Sequence, residues 1–333
     1  MRHLGSIDDL LTDNVIGILD RAEELCTGAP PRSHVGQVLA LAFFQSSTRT
    51  RIGFACAGIR SGFGVVDLWA DRHEASMSRP ESLGDTIRVV SAYSDVMVLR
   101  HPSTGAWATA TAVACCPLIN GGNGCDEHPT QALIDVFAIR RAMGRLDGLS
   151  VGIVGDVRES RSAHSLMKVL ARFGSQKIRL MGPESRVDSA VADAWSVGVP
   201  CGHVTVRHDL NLSDLDVIYV AGLPEGTGAD GVGAASRARF ALTRERLRDL
   251  PKTAVVLCPL PRIDEIATEV DEDRRARYFE QSARGLWVRM AVLERTANRS
   301  PVPGESTVTD AETGSGENEP RTGAGCLNVE RAR

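Results

Sequence analysis

A chain of 333 residues, 43% hydrophobic and 24% charged, is long enough for two domains, each with its own core. A net charge of −4 and an aromatic content of 5% exclude the basic, stacking surface of a general nucleic-acid binder. No run approaches the roughly 18 apolar residues of a membrane span, and Asp8 and Asp9 stand where a secretory signal needs an apolar core.

Residues 8 to 26 carry Leu10, Leu11, Ile16, Leu19 and Leu25 and predict a first helix. Val38 to Ala42 predicts a buried strand, and Ile52, Ala55, Cys56 and Ile59 recur at helical spacing up to Gly62. Between them lies Ser46-Ser47-Thr48-Arg49-Thr50-Arg51. A strand thus feeds a helix through a turn of hydroxyls and guanidinium. The free N–H groups and positive end of that helix make an anion site, and Arg49 adds a fork suited to phosphate. An ordinary helix cap with a solvated arginine is the other reading of the same spacing.

Gly64 to Trp69 predicts a second strand, and 70 to 80 an exposed polar loop. Glu81 to Tyr93 suits a helix, Asp95 to Pro102 a strand ending in Arg100 and His101, Ala106 to Ala114 a helix, and Pro117 to Asn120 a strand. This alternation predicts a parallel sheet with ligands at the carboxyl ends of its strands. After the glycine-rich turn 121 to 124, His128-Pro129-Thr130-Gln131 opens a helix, with His128 and Gln131 on one face of its first turn. His128 is either a capping residue or a ligand contact on this evidence.

A second alternation begins near Ser150: a strand at Val151 to Gly155, a charged loop at 156 to 161, a helix at Ala163 to Phe173, and strands at Lys177 to Met181, Asp216 to Val220 and Ala254 to Leu257. No G-x-G-x-x-G follows the Val-Gly-Asp turn, which excludes a dinucleotide site. Residues 222 to 239 read as a mobile glycine- and alanine-rich loop, Leu286 to Leu293 as a final helix, and 300 to 333 as a disordered tail. The eight cysteines form no CxxC pair, so neither a zinc site nor a disulfide framework is expected, and a reduced, cytoplasmic setting fits.

Taken together, Phe44 to Arg51, Leu99-Arg100-His101-Pro102, His128-Pro129-Thr130-Gln131, Gly155-Asp156 through Arg161 to His164-Ser165, Pro259-Leu260-Pro261-Arg262 and Asp264 to Ala267 resemble the catalytic chains of the aspartate carbamoyltransferases, from about residue 35 to about 297. The resemblance implies an α/β fold of two doubly wound parallel-sheet domains. Residues 1–145 would bind carbamoyl phosphate, joined by a returning C-terminal helix at 286–299, and 146–285 would bind the amine acceptor. It implies a homotrimer in which Ser76 and Arg79 reach a neighbour's site. Ser47, Thr48, Arg49, Thr50 and Arg100 would hold the phosphate, and Thr50, Arg100 and His128 would donate to the carbonyl oxygen. Gln131 and the carbonyls of Pro259 and Leu260 would take the carbamoyl NH2, and Arg161 the acceptor's α-carboxylate. No metal or organic cofactor is required.

The acceptor half departs from the family pattern. Gly222 and Pro224 stand where the family has an arginine and a glutamine that clamp the second carboxylate of aspartate, and Thr227 stands where it has another arginine. Gln45 replaces the acidic partner of that last arginine. The expectation is therefore a carbamoyltransferase whose acceptor keeps an amino-acid head but is not simply aspartate, as in a specialised metabolic pathway. The alternatives are a true aspartate carbamoyltransferase of pyrimidine biosynthesis, with Arg237 or Arg239 taking over the clamp, and a non-catalytic regulatory homologue. The complete set of carbamoyl phosphate residues counts against the last.

Overall fold

The computed structural model describes residues 3–69, 81–174, 177–195, 203–226 and 231–297. The loop 70 to 80, with Ser76 and Arg79, Thr227, and the tail from 300 to 333 all lie outside the described residues.

The first half builds α1 (Thr12–Cys26), β1 (Val38–Phe43), α2 (Thr48–Arg60), β2 (Gly64–Trp69), α3 (Leu83–Ala92), β3 (Val96–His101), α4 (Ala106–Val113), β4 (Leu118–Asn123) and α5 (Pro129–Met143). Its four strands pair in the order β2-β1-β3-β4, all parallel. β1 and β3 are apolar runs because a parallel sheet covered on both faces leaves no solvent side. The second half builds β5 (Ser150–Gly155), α6 (Arg161–Ala171), β6 (Lys177–Met181), α7 (Ser189–Trp195), β7 (Val204–Arg207), β8 (Val217–Gly222), α8 (Ala234–Phe240), β9 (Val255–Leu257) and α9 (Tyr278–Ala297). Its five strands run parallel in the order β7-β6-β5-β8-β9. The architecture is two parallel-sheet α/β domains.

Several elements differ from expectation: β7 and α7 were not anticipated, and β4 runs on through Gly121 and Gly122 to Asn123. The first helix starts only at Thr12, because Ser6 caps a separate 3-10 turn at Ile7–Asp9. The stretch read as a loop from 222 to 239 contains α8, whose only buried side chain is Phe240, so no apolar stripe announces it. The last helix begins at Tyr278 rather than Leu286 and packs on α1, α2 and α5. Buried Glu294 ties that helix to the first half: it accepts from Arg21 Nε at 2.7 Å and from the Arg32 backbone N–H at 2.8 Å. α5 is buried almost all round, held by α6 on one side and α9 on the other. Gly144 ends it at φ 73°, a left-handed cap that glycine adopts without strain. No helix among the described residues is long and apolar enough to cross a membrane.

Both sheets reverse their winding next to the same region. In the first, the switch lies between β1 and β3; in the second, between β5 and β8. A crevice opens outside the carboxyl ends of strands at such a point. The turn after β1, the end of β3, the turn after β5 and the end of β8 therefore converge.

Candidate active site

They converge on a cavity of about 390 Å³. Its first-half wall holds Ser47, Arg49, Thr50, Arg100, His128 and Gln131. Its second-half wall holds Arg161, Gly222, Pro224, Pro259 and Leu260. Of the described residues that the resemblance assigns to the substrates, Thr48 alone does not line it; Gln45, Arg237 and Arg239 also lie outside its lining. At the first position of α2, Thr48 offers its backbone N–H to the helix terminus. A larger cavity of about 490 Å³ lies between the ends of α5 and α9. Arg275 and Arg277 in its lining are already tied to Asp273 and Glu280, and Arg274 donates to the Lys252 carbonyl.

Each wall residue is placed by its neighbours. Ser47 caps α2 with extended backbone, yet its hydroxyl makes no capping bond and so stays available to a ligand. Arg49 reaches across to the second half, where its Nη2 donates to the Leu260 carbonyl at 2.5 Å. Leu260 sits at φ 54°, a left-handed conformation, in the turn after β9. Arg100, at the end of β3, is buried and donates from Nη1 to the Gly121 carbonyl at 2.9 Å. Its Nε–H is buried without a partner, a donor held out of water.

Gly122 explains how two guanidiniums fit side by side. At φ 122°, it presses its missing Cβ position to 2.6 Å from Arg100 Nη1 and 3.2 Å from Arg161 Cζ. Arg161 opens α6 and donates to the Gly124 carbonyl at 2.7 Å and to Gln45 Oε1 at 3.1 Å. Gln45 therefore still links the halves, as a neutral acceptor. Two of five guanidinium N–H bonds are spent there, which leaves a free edge for a carboxylate.

His128 caps α5, and its backbone N–H donates to Ser165 Oγ at 2.9 Å. Ser165 in turn donates to buried Glu127 at 3.1 Å. The ring sits between two hydroxyls: Nδ1 is 3.3 Å from Thr130 Oγ1 and Nε2 is 3.4 Å from Thr50 Oγ1. Burial, with Arg100, Arg161, Arg289 and Arg49 around it, holds the imidazole pKa well below its ordinary value. The ring is thus neutral at pH 7. A Thr130 hydroxyl that donates to Nδ1 would leave the ring proton on Nε2, beside Thr50, the tautomer that can donate to a ligand in the cavity.

Gln131 is oriented by a buried relay that sequence reading did not find. Its amide nitrogen donates to Asp135 Oδ1 at 2.7 Å, so its carbonyl oxygen is turned to the cavity. Asp135 also accepts from Gln281 Nε2 of α9 at 2.6 Å, and Gln281 Oε1 accepts from the Cys258 N–H at 3.0 Å. Asp135 is fully buried, and burial pushes its carboxyl up to about 7 against the hydrogen bonds from Gln131 and Gln281. The helix spacing of Gln131 and Asp135 was readable; the role of Gln281 was not, since it depends on where α9 docks.

The second-half wall is acidic where the sequence showed only missing cations. Asp156, Glu159 and Glu265 line it. Asp156 is occupied: Oδ1 accepts from the Glu159 N–H at 3.1 Å, and Oδ2 faces Arg186 Nη1 at 3.5 Å. Glu265 is held on one side only. Its Oε2 accepts from the backbone N–H groups of Ile263 and Asp264 at 2.8 and 3.0 Å. Its Oε1 would lie 3.3 Å from a Cβ on Gly222, so it faces the space that glycine leaves. Arg237 and Arg239 do not line the cavity.

Chemically, the first wall can hold a dianion with Arg49, Arg100 and the α2 terminus, and donate to a carbonyl oxygen from Thr50, His128 and Arg100. The Gln131 oxygen can accept from an amide NH2, and Arg161 can take a carboxylate alongside.

Comparison with known proteins agrees. Residues 2–141 match the family model for the aspartate/ornithine carbamoyltransferase carbamoyl-P binding domain, and 147–296 match that for the Asp/Orn binding domain. The chain is 36% identical over 299 residues to the aspartate carbamoyltransferase catalytic subunit of Methanococcus vannielii, covering 88% of this chain and 97% of that one. It is 40% identical over 299 residues to the catalytic subunit of Halorubrum lacusprofundi, covering 88% and 94%. Among solved structures, aspartate transcarbamoylase from Trypanosoma cruzi in complex with carbamoyl phosphate and aspartate superposes with a TM-score of 0.78 at 32% identity, covering 88% of this chain and 94% of that one. With both domain models matched in order and the cavity at their junction, the chain belongs to the aspartate/ornithine carbamoyltransferase family.

Proposed function

We propose that the protein transfers the carbamoyl group of carbamoyl phosphate to the amine of L-aspartate and releases phosphate. The observation that carries carbamoyl transfer is the convergence of Ser47, Arg49, Thr50, Arg100, His128 and Gln131 on one cavity with Arg161 beside them. The names of the relatives favour aspartate as acceptor over the different acceptor expected from Gly222 and Pro224 alone. The complete carbamoyl phosphate wall argues against a non-catalytic homologue.

In this reading Arg49, Arg100, Ser47 and the first N–H groups of α2, that of Thr48 included, hold the phosphate dianion. Thr50, neutral His128 and Arg100 donate to the carbonyl oxygen, and Gln131 with the Pro259 and Leu260 carbonyls takes the NH2. Arg161 holds the α-carboxylate so that the unprotonated amine faces the carbonyl carbon. The nitrogen lone pair forms the C–N bond while negative charge grows on the oxygen facing those donors. The bond from that carbon to the oxygen shared with phosphorus then breaks, its electron pair leaving with the phosphate, which takes the proton from nitrogen. A homotrimer, with Ser76 and Arg79 of a neighbouring subunit completing each site, and a cytoplasmic setting belong to the same proposal.

One observation favours a second reading. Glu265 Oε1 faces the space over Gly222, and no cation other than Arg49, Arg100 and Arg161 lines the cavity among the described residues. An acceptor with a neutral or cationic side chain would suit that wall. Steady-state phosphate release from carbamoyl phosphate, with aspartate, ornithine and a set of diamino acids offered separately, decides between the two. Turnover confined to an amine other than aspartate would replace the first reading with the second.

A further inference from the structure

The geometry points to Arg237 as the residue that selects the acceptor's side-chain carboxylate, a specificity role that rests on the aspartate reading above. Aspartate and carbamoyl phosphate together bring a phosphate dianion and two carboxylates. Arg49 and Arg100 face the phosphate end and Arg161 the α-carboxylate, so the second carboxylate needs another cation. The wall formed by Gly222, Leu223 and Glu265 is thin. Immediately behind it lies a small cavity of about 10 Å³, bounded by the same three residues and by Arg237, Phe240 and Asp264.

Arg237 is poised at this wall. Its side chain is only 13% exposed, so it is a largely desolvated guanidinium. Nε donates to Asp264 Oδ2 at 2.8 Å, Nη1 donates to the Val232 carbonyl at 3.0 Å, and Nη2 lies 3.9 Å from Glu225 Oε1. The main partner, Asp264, is 43% exposed and is the chain neighbour of Glu265. Glu265 already presents Oε1 toward the gap at Gly222. A change of side-chain torsions moves the guanidinium from Asp264 to Glu265 and brings its remaining edge through the space that a side chain at 222 would fill. Glu265 then serves as the anion that orients the incoming arginine rather than one that repels the substrate. The absence of a side chain at Gly222 and the half-satisfied state of Glu265 thereby have one cause.

The test uses the full chain with saturating carbamoyl phosphate and reads phosphate release with L-aspartate and with L-asparagine, which has the same shape but no side-chain charge. Wild-type protein should prefer aspartate. Arg237→Gln should lower kcat/KM for aspartate about 10- to 150-fold, through KM, the range for a lost charged hydrogen bond. Its asparagine kcat/KM and its KM for carbamoyl phosphate should stay within about twofold, which also shows that the variant folds. Arg237→Lys should recover part of the loss, and Asp264→Asn, which frees the guanidinium, should leave aspartate turnover intact or improve it. If Arg237→Gln leaves the aspartate-to-asparagine ratio unchanged, or lowers both equally, the assignment is overturned while the aspartate reading survives. If wild type turns over another amine but not aspartate, both are overturned together.

Discussion

The chemistry of the site rests on donors that lost their water on folding. Arg100 keeps a buried, unpartnered N–H, and His128 is neutral because it is buried, with four guanidiniums around it. A neutral ring donates without becoming an acid, so removing it should act on the rate more than on binding. His128→Ala should lower kcat about 100- to 1,000-fold, the usual effect of deleting one oxyanion donor, with a much smaller change in KM for carbamoyl phosphate. His128→Gln, which can still present an N–H, should lose less. Equal losses in both variants, measured at saturating substrate, would remove the donor role. Gly122→Ala tests the placement of both arginines at once. A methyl 2.6 Å from Arg100 Nη1, at a φ of 122°, displaces the guanidinium, and a misplacement of that order should cost at least about 100-fold in kcat/KM. Near-wild-type kinetics would show that Arg100 does not need that position.

Asp135 adds a pH signature at the same scale. Its carboxyl is pushed up to about 7 in the folded chain, against about 4 when unfolded. Between those values the folded chain holds a proton that the unfolded chain releases. The stability linked to that proton is complete below pH 4 and is lost as pH rises through 7, at up to about 1.4 kcal/mol per pH unit. The stability difference between wild type and Asp135→Asn should therefore shrink from pH 5 to pH 8 in urea unfolding; a difference independent of pH would contradict it.

Among the elements, those that carry the site were the legible ones. β1, β3, β5 and β8 are buried in parallel sheets and read as continuous apolar runs, and the turns at their carboxyl ends hold Ser47 to Thr50, Arg100, Arg161 and Gly222. What escaped notice lies at the periphery. β7 is a half-exposed edge strand of four residues, α7 has seven residues, and α8 buries only Phe240, so none offers a long period. The acidic wall escaped for another reason: Glu265 matters through its placement beside Gly222, far away in the chain. The final helix started earlier than its apolar run because Tyr278 and Gln281 are buried one turn apart by contacts that sequence does not show. That helix is pinned to α1 through Glu294, 2% exposed, and Arg21, 22% exposed. Glu294→Ala leaves a guanidinium short of its acid; since Arg21 retains some water and Glu24, the cost should be about 2–3 kcal/mol, below that of breaking a fully buried pair. Urea midpoints check it, and a change under about 0.5 kcal/mol would mean the pair contributes little.

At the scale of the whole molecule, two sheets present their switch points to one cavity, so substrates meet where two half-sites face each other. Gln45 and Arg49 of the first half touch Arg161 and Leu260 of the second. The proposed trimer adds Arg79 from a neighbouring chain, which makes the site separable into parts on different subunits. Mixing inactive His128→Ala chains with inactive Arg79→Ala chains, after dissociation and reassembly, should restore activity, because one interface in a mixed trimer then pairs two intact contributions. No recovery at any mixing ratio would place the whole site within one chain.

The most direct measurement is phosphate release from carbamoyl phosphate on addition of L-aspartate to the purified wild-type chain, with the N-carbamoyl product followed in parallel. Saturable, aspartate-dependent release with one product formed per phosphate is the predicted result. Release that stays at the spontaneous rate with aspartate, while another amine accelerates it, would contradict the account.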